Sequence, residues 1–178
     1  MSARAALRAA TRPEHDRVDV AFSQYDLTSR DGYRRFLLRQ ASAHLPVERA
    51  LDAVGVEASV TDWPGRRRSD AIRADLADLG CDAVPEMPFA GFATLAEALG
   101  GAYVLEGSRL GGQVLRRQVS DGLPTRFLAQ GSSLAWRALL TVLETKLRSL
   151  EEIGEAVTGA RAVFACFEAA AGCEVEKN

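Results

Sequence analysis

The sequence has few of the residues that cross-link small proteins or build metal clusters. It contains three cysteines and two histidines in 178 residues. Cys81, Cys166 and Cys173 show neither CxxC spacing nor a histidine-rich neighbourhood. An odd number of cysteines without such spacing argues against a disulfide framework and against a zinc site. We therefore expect reduced thiols, with Cys166 and Cys173 on the last helix.

Long apolar runs and a large excess of one charge are also missing. No stretch reaches the eighteen or so apolar residues of a membrane span, and the N-terminal MSARAALRAATRPEH is charged throughout, unlike a signal peptide. A formal net charge of -2 provides no basic field for nucleic acid. We expect a cytoplasmic protein that binds neither membrane nor nucleic acid, and we interpret the arginine run at 66–68 as a solvated loop.

What is present is a sequence dominated by Ala, Leu, Arg and Glu, with apolar residues recurring at intervals of three and four. This periodicity predicts an all-α fold. With 47% hydrophobic side chains, 178 residues are enough for one domain with a core. We predict a single-domain bundle of several helices over 1–178. The expected helices run from about residue 3 and over 29–54, 69–79, 92–119, 133–147 and 150–171, with a loop at 55–68 and a connector at 85–88.

Four expected helix starts carry a hydroxyl followed three residues later by an acid, the pattern of a capping box. The pairs are Thr11 with Glu14, Thr28 with Asp31, Thr94 with Glu97, and Ser149 with Glu152. The first pair places Pro13 in a first helical turn, where proline is tolerated. Pro46 lies within the second helix and predicts a kink or a split there. Ser69 or Asp70 is expected to cap the helix that Gly80 ends.

The stretch AYVLEGSRLGGQVLRR at 102–117 places three glycines, Gly107, Gly111 and Gly112, inside a helical pattern. Each interior glycine costs about 0.8–1 kcal/mol relative to alanine, and we expect a bend. Gly107 and Gly111 share a face, which leaves bare backbone against which another object can lie. Taken alone, this spacing favours close helix packing of the GxxxG kind. Because the stretch lies within a helix, it is not a phosphate-binding loop.

Imidazole can come only from His15 or His44. We interpret His44, beside Pro46, as structural or solvent-exposed. His15 shares a helical face with Val18 and Phe22, in what we expect to be the first turn of a helix, where the helix dipole disfavours imidazolium. A neutral imidazole there can bind a metal, although a satisfied core histidine is the simpler interpretation of this feature alone.

Two segments taken together resemble a known pair of helices. LRAATRPEHDRVD, around His15, and YVLEGSRLGGQVLRR, further along the chain, are similar to the proximal and distal helices of the heme oxygenase family. They are most similar to the bacterial, biliverdin-producing members associated with bacteriophytochromes. The order and separation of the two segments, the connecting helices and the segment WPGRRRSDAIRADLADLG agree with this resemblance. The resemblance therefore covers nearly the whole chain.

This resemblance implies a bundle in which heme lies between a proximal N-terminal helix and a kinked distal helix. It places His15 as the axial ligand of the heme iron, and Gly107, Gly111 and Gly112 on the helix that crosses the opposite face. The bare strip would leave room for oxygen and direct it by shape towards one meso carbon. Gly107, Gly111 and the adjacent Ser108 are then the expected catalytic positions.

The resemblance also implies partners for the rest of heme. Arg8 would meet a propionate, and Tyr103 and Arg137 are further pocket or propionate candidates on a looser match. Many family members carry aspartate directly after the first distal glycine, where it organises proton delivery. Ser108 stands at that position here, and its hydroxyl can hold a water but brings no charge. Protons would then pass through backbone groups, water or an inward-turned Arg109, for which a solvated arginine is the simpler interpretation.

The implied activity is that of a heme oxygenase, which cleaves heme to biliverdin and releases carbon monoxide and ferrous iron. Heme is both cofactor and substrate, and O2 is consumed. An external ferredoxin or reductase supplies electrons, because the sequence has no flavin or nicotinamide motif, and a bacteriophytochrome would receive the biliverdin. Two alternatives stay open: a heme-binding or sensing protein of the same fold with weak or no degradation activity, and a helical interaction protein whose glycines serve packing.

Overall fold

The computed structural model describes residues 2–129 and 131–172, and this part of the chain is helical without a strand. The helices are α1 (Ala3–Phe22), α2 (Arg30–Ala53), α3 (Trp63–Arg66), α4 (Ser69–Asp78), α5 (Leu95–Arg116), α6 (Arg126–Ala129), α7 (Ser133–Lys146) and α8 (Leu150–Gly172). A 3-10 turn spans Val56–Ala58. The all-α prediction is confirmed, and each long helix lies within a few residues of its predicted range. The sequence did not predict α3, which lies inside the expected loop at 55–68, or α6.

The helix α8 is the central packing element, since α5, α1 and α2 all lie against it. The crossing of α5 and α8 is close because each helix presents a glycine there. An added Cβ at Gly100 would overlap the carbonyl oxygen of Ala156, and one at Gly159 would overlap the carbonyl oxygen of Glu97. The glycine packing that the sequence indicated is therefore real, but it lies at Gly100 and Gly159 rather than in the 107–112 strip.

The first helix differs from its prediction in where it begins. Ser2 caps α1, accepting a hydrogen bond from Ala5 N at 3.1 Å, whereas the Thr11 hydroxyl donates to Leu7 O at 2.8 Å inside the helix. The predicted capping box at Thr11 is wrong, and Pro13 lies in the helix interior instead of a first turn. His15 is likewise far from the N-terminus of α1, so the dipole argument for its neutral form does not apply.

The other predicted helix ends have mixed outcomes. The capping box of α8 is confirmed, with Glu152 N donating to Ser149 Oγ at 3.1 Å and Ser149 N donating to Glu152 Oε2 at 2.8 Å. Glu97 N likewise donates to the cap of α5, Thr94 Oγ1, at 3.2 Å. At α2 the cap is Ser29, one residue after the predicted Thr28, and the helix continues through Pro46 without a break.

The short helix α4 begins without a capping side chain of its own, so the prediction of Ser69 or Asp70 as cap is wrong. Its end is as predicted: Gly80 adopts φ +76°. Gly80 N donates to Ala77 O at 2.9 Å and Cys81 N donates to Leu76 O at 2.9 Å, which is the Schellman arrangement that a left-handed glycine permits.

Two of the three cysteines can be placed. Cys81 and Cys166 are free thiols, as predicted, and Cys166 is buried on α8, where burial raises its pKa to about 11. Cys173 lies outside the described residues. Within residues 2–129 and 131–172, no helix is both long and apolar enough to cross a bilayer.

Candidate active site

The helices α1 and α5 both pack on α8 but make few contacts with each other, and α7 touches both of them. We refer to the space between α1 and α5, beside α7 and α8, as the cleft. Two surface cavities, of about 290 and 390 Å³, lie elsewhere, the first beside Cys81 and the second beside Arg116 and Arg117.

His15 lies on α1 above the side of α8. Its side chain is 59% exposed, and its ring contacts the Phe164 ring edge-to-face at a centroid distance of 5.9 Å. The Nδ1 atom lies 3.3 Å from Asp19 Oδ2, one helical turn further along. A core histidine is therefore the wrong interpretation. With Nδ1 facing a carboxylate, Nε2 is the ring nitrogen left to bind a ligand.

The distal glycines have open space beside them, unlike the packing glycines. An added Cβ at Gly111 would meet no atom within 4 Å, and one at Gly107 would reach only Trp136 at 3.7 Å. At Gly112 the nearest atom is Leu128 Cδ2 at 3.5 Å, an ordinary contact. The neighbouring Val114 is 58% exposed. Gly107 and Gly111 thus leave bare backbone facing space, which packing against another helix does not explain, whereas Gly112 is buried against Leu128 of α6.

An aromatic pair, Tyr103 and Trp136, lies between α5 and α7, with a centroid distance of 5.5 Å. Burial raises the pKa of Tyr103, and the charges of Arg4 and Arg8 oppose that shift. Arg8 and Tyr103 are therefore within electrostatic range of each other. Arg137 follows on the exposed surface of α7 and has no side-chain partner among the described residues.

Ser108 does not stand alone beside the glycines. Its hydroxyl donates to Leu105 O at 2.7 Å and accepts from Arg68 Nη2 at 2.8 Å. Arg68 also donates to Leu105 O at 2.8 Å, and its guanidinium lies 4.6 Å from the Phe127 ring centroid. Burial, helped by the charge of Arg109, lowers the pKa of Arg68 to about 9. A protonated guanidinium therefore adjoins Ser108 at neutral pH.

The arginine run at 66–68 is buried at two of its three positions, so its interpretation as a solvated loop is wrong. Arg66 Nη1 lies 2.8 Å from Glu106 Oε2, and its Nη2 donates to Ala135 O at 2.9 Å. Arg109 is also buried, contrary to the solvated interpretation, and its Nε donates to Glu106 Oε1 at 2.7 Å. This cluster joins α3, α5 and α7 directly before the first distal glycine. Only Arg67 of the run is exposed.

A buried carboxylate holds the end of this arginine run. Glu48 on α2 accepts hydrogen bonds from Arg68 N at 2.8 Å and Ser69 N at 3.0 Å, and so serves as the missing cap of α4. His44 Nε2 lies 2.8 Å from the same carboxylate. Burial favours the neutral acid, but the hydrogen bond from His44 and those from the backbone prevail, and the pKa of Glu48 falls to about 2. Burial also lowers the pKa of His44, which makes it structural, as predicted.

Sequence reasoning missed three polar residues of this region, Asp19, Glu48 and Arg68. The first two carried a signal, because Asp19 follows His15 by four positions and Glu48 follows His44 by four, the spacing of side chains that meet on a helix. Arg68 carried none, because its partner Ser108 lies 40 positions away.

Comparisons with known proteins identify the family of the chain. No protein-family model matches the chain. A heme oxygenase of Xanthomonas campestris pv. campestris (strain 8004) is 33% identical over 153 residues, 81% of this chain and 91% of that protein. Heme oxygenase PigA of Pseudomonas aeruginosa is 31% identical over 166 residues, 86% of this chain and 83% of that protein. The crystal structure of NO- and CO-bound heme oxygenase from Neisseria meningitidis superposes with a TM-score of 0.83 at 27% identity, covering 96% of this chain and 90% of that one. The chain therefore belongs to the heme oxygenase family.

Proposed function

We propose that heme binds in the cleft between α1 and α5, with His15 as the axial ligand of its iron. As a family member the chain is an enzyme that cleaves heme oxidatively to biliverdin, releasing iron and carbon monoxide. When bound, heme supplies both the iron that activates O2 and the ring that is cleaved. The observation that carries the assignment of His15 is its exposed ring, whose Nδ1 faces Asp19.

The residues present fit a flat apolar macrocycle. Gly107, Leu110, Gly111 and Val114 fall on one face of α5 by helical spacing. Leu110 is 47% exposed, so this face offers bare backbone flanked by uncovered apolar side chains. Covering a side chain that is about half exposed contributes roughly 0.7–1.7 kcal/mol, about half the value for full burial. Contact of this apolar surface with a porphyrin ring is therefore more favourable in free energy than contact with water.

On the proximal side, Asp19 orients the ligand. A carboxylate 3.3 Å from Nδ1 attracts the N–H of that nitrogen, which favours the tautomer with the lone pair on Nε2. Phe164 supports the ring edge-to-face. His15 thus needs no burial to be held in one tautomer and one orientation.

On the distal side, the glycines are proposed to leave room for O2, and the neighbouring polar groups are proposed to deliver protons. The helix α5 is continuous through Gly111 and Gly112, so their amide groups are engaged within the helix. Donation towards the cleft is therefore assigned to the Ser108 hydroxyl once it rotates away from Leu105 O, to which it donates in the structure, with Arg68 behind it. Arg68 holds the hydroxyl oxygen at 2.8 Å and stabilises negative charge there.

The proposed binding site of the propionates is the end of the cleft near Tyr103. The charges of Arg4 and Arg8 act on the Tyr103 phenol, and carboxylates pair well with arginine. Arg137 is retained as an outer candidate, because an exposed arginine can turn towards a carboxylate that reaches the rim. Gly112 is proposed to form part of the cleft wall. An added Cβ there would lie 3.5 Å from Leu128 Cδ2, an ordinary van der Waals distance.

Electrons are proposed to come from an external ferredoxin or reductase in the cytoplasm, with a bacteriophytochrome as receiver of biliverdin. The exposed arginines of α1, Arg4, Arg8 and Arg12, give the cleft rim positive charge. Such a rim favours an acidic electron donor, because complementary charge speeds the encounter of transient partners.

The test combines a spectrum with turnover. Hemin titrated into the protein should bind stoichiometrically, and adding an electron donor in air should bleach the Soret band and produce a broad biliverdin absorbance. His15→Ala should change the ferric spectrum and slow turnover strongly, while Val20→Ala, at an exposed position on the same helix, serves as the control. An unchanged spectrum and rate in His15→Ala would remove this residue from the role of ligand.

Neither alternative from the sequence is favoured. The sensing alternative rested on a distal position without charge, and Arg68 places a cation 2.8 Å from the Ser108 hydroxyl. The packing alternative required a partner helix against Gly107 and Gly111, where an added Cβ meets a single side chain or open space.

A further inference from the structure

The proximal helix contains a break in its hydrogen bonding just before the proposed iron ligand. Pro13 lies in the interior of α1 and has no N–H, so Ala9 O receives no helical hydrogen bond, and the proline ring crowds that carbonyl. An interior proline costs about 3 kcal/mol. The segment that carries His15 is therefore joined to the first half of α1 by a weakened turn.

Arg161 on α8 contacts both sides of this break. Its Nη2 donates to Ala10 O at 2.9 Å, on the N-terminal side of Pro13. Its Nε lies 3.4 Å from Glu14 Oε1, on the C-terminal side and directly before His15. We propose that Arg161 holds the two halves of α1 together across Pro13 and thereby sets the position of His15. We call this pair of contacts, to Ala10 O and to Glu14, the splint. The inference rests on the proposed function only in giving His15 the role of ligand.

The surroundings of Glu14 show why one cation matters here. The Glu14 side chain is 17% exposed, and its Oε2 is buried without a hydrogen-bond partner among the described residues. A carboxylate so placed depends on the Arg161 charge at its other oxygen, because burying an uncompensated charge is costly. Removing Arg161 therefore frees Glu14 to turn outward and releases the turn that it shares with His15.

A second ion pair between the same helices provides a matched control. Arg17 Nε lies 3.1 Å from Glu168 Oε1, with side-chain exposures of 52% and 40%. This pair ties α1 to α8 entirely beyond Pro13, so it joins the same helices without spanning the break. Glu168→Gln weakens this attachment of α1 to α8, whereas Arg161→Ala removes the splint.

The splint can be tested on the heme-free protein by a double-mutant cycle. Amide hydrogen exchange is measured over residues 9–19 in the wild type, Arg161→Ala, Pro13→Ala and the double variant. Losing a hydrogen bond and a half-exposed ion pair should speed exchange about five- to tenfold in Arg161→Ala. Pro13→Ala restores the helical hydrogen bond, so Arg161→Ala should then change exchange less than about twofold. Glu168→Gln should leave residues 9–13 near the wild-type rate, and Arg161→Lys should fall between wild type and Arg161→Ala.

An equal effect of Arg161→Ala in both backgrounds would overturn the splint, because the side chain would then act without reference to Pro13. A hemin-loaded series tests the consequence: Arg161→Ala should release hemin to apomyoglobin about five- to tenfold faster and shift the iron–histidine vibration, and Pro13→Ala should reverse both changes. Failure of the proposed ligand looks different, since His15→Ala would then keep the wild-type spectrum while the exchange cycle still reports on the splint.

Discussion

Replacing Gly111 by alanine should stabilise the heme-free protein while impairing its function. The added Cβ meets no atom within 4 Å, so the full gain in helix propensity, about 0.8–1 kcal/mol, is available. For a chain of this size that gain raises Tm by about 2–4 °C. The same methyl group lies on the face proposed to cover heme, where overpacking costs about 1–3 kcal/mol, or roughly 5- to 150-fold in hemin affinity.

Gly100→Ala is the matched control, since it makes the same chemical change in the same helix. Its Cβ would overlap the carbonyl oxygen of Ala156, so backbone must move and the protein should lose stability. Thermal unfolding followed by circular dichroism gives the first comparison, and hemin titration with Soret bleaching under reductant gives the second. The reasoning is refuted if Gly111→Ala is destabilised like Gly100→Ala, or if it binds and degrades hemin as the wild type does.

Three further predictions concern the buried polar groups. Arg68→Leu should lower the rate of biliverdin formation at least about tenfold while hemin still binds, because the cation behind Ser108 is lost together with its contacts to Leu105 O and the Phe127 ring; equal rates would contradict its role. Asp75→Ala should lower the free energy of unfolding by about 3 kcal/mol in denaturant titrations, because Phe127 N and Arg126 N lose their buried acceptor; a loss below about 1 kcal/mol would show that water replaces the carboxylate. Burial lowers the pKa of His44 below its ordinary 6.5, so the unfolded chain gains a proton first on acidification. Stability should then fall below pH 6.5 by up to about 1.4 kcal/mol per pH unit, and His44→Gln should flatten that slope.

The long helices could be predicted because their signals are local or repeat along the chain. The pairing of His15 with the distal glycines rests on the resemblance to the heme oxygenase family and stays a prediction. Helical periodicity can be recognised in a segment of a few turns. At α8, a serine followed three positions later by an acid forms the cap as predicted. The same pattern failed at Thr11, because Ser2 lies upstream and a twenty-residue helix with many contacts to α8 outweighs one interior proline.

The arginines of the site could not be predicted because their partners are distant in sequence. Arg66 and Arg68 are buried against Glu106 and Ser108, both 40 positions later. A run of three charges contains no information about such partners, and solvation is the ordinary outcome of a charge run. The glycines show the same limit: spacing placed Gly107 and Gly111 on one face, but only the structure separates them from Gly100, which packs.

The attachments of α1 have a consequence for how the chain matures on the ribosome. Glu144 of α7 accepts hydrogen bonds from Ala3 N and Arg4 N at 3.0 Å each, and Tyr25 donates to Ala171 O of α8 at 3.0 Å. The helix α1 is thus anchored at both ends by segments that are synthesised after it. Because domains fold as their contacts emerge during synthesis, α1 completes its packing only after α8 has left the exit tunnel. A nascent chain that stalls before α8 therefore presents His15 without the cleft that is proposed to hold heme.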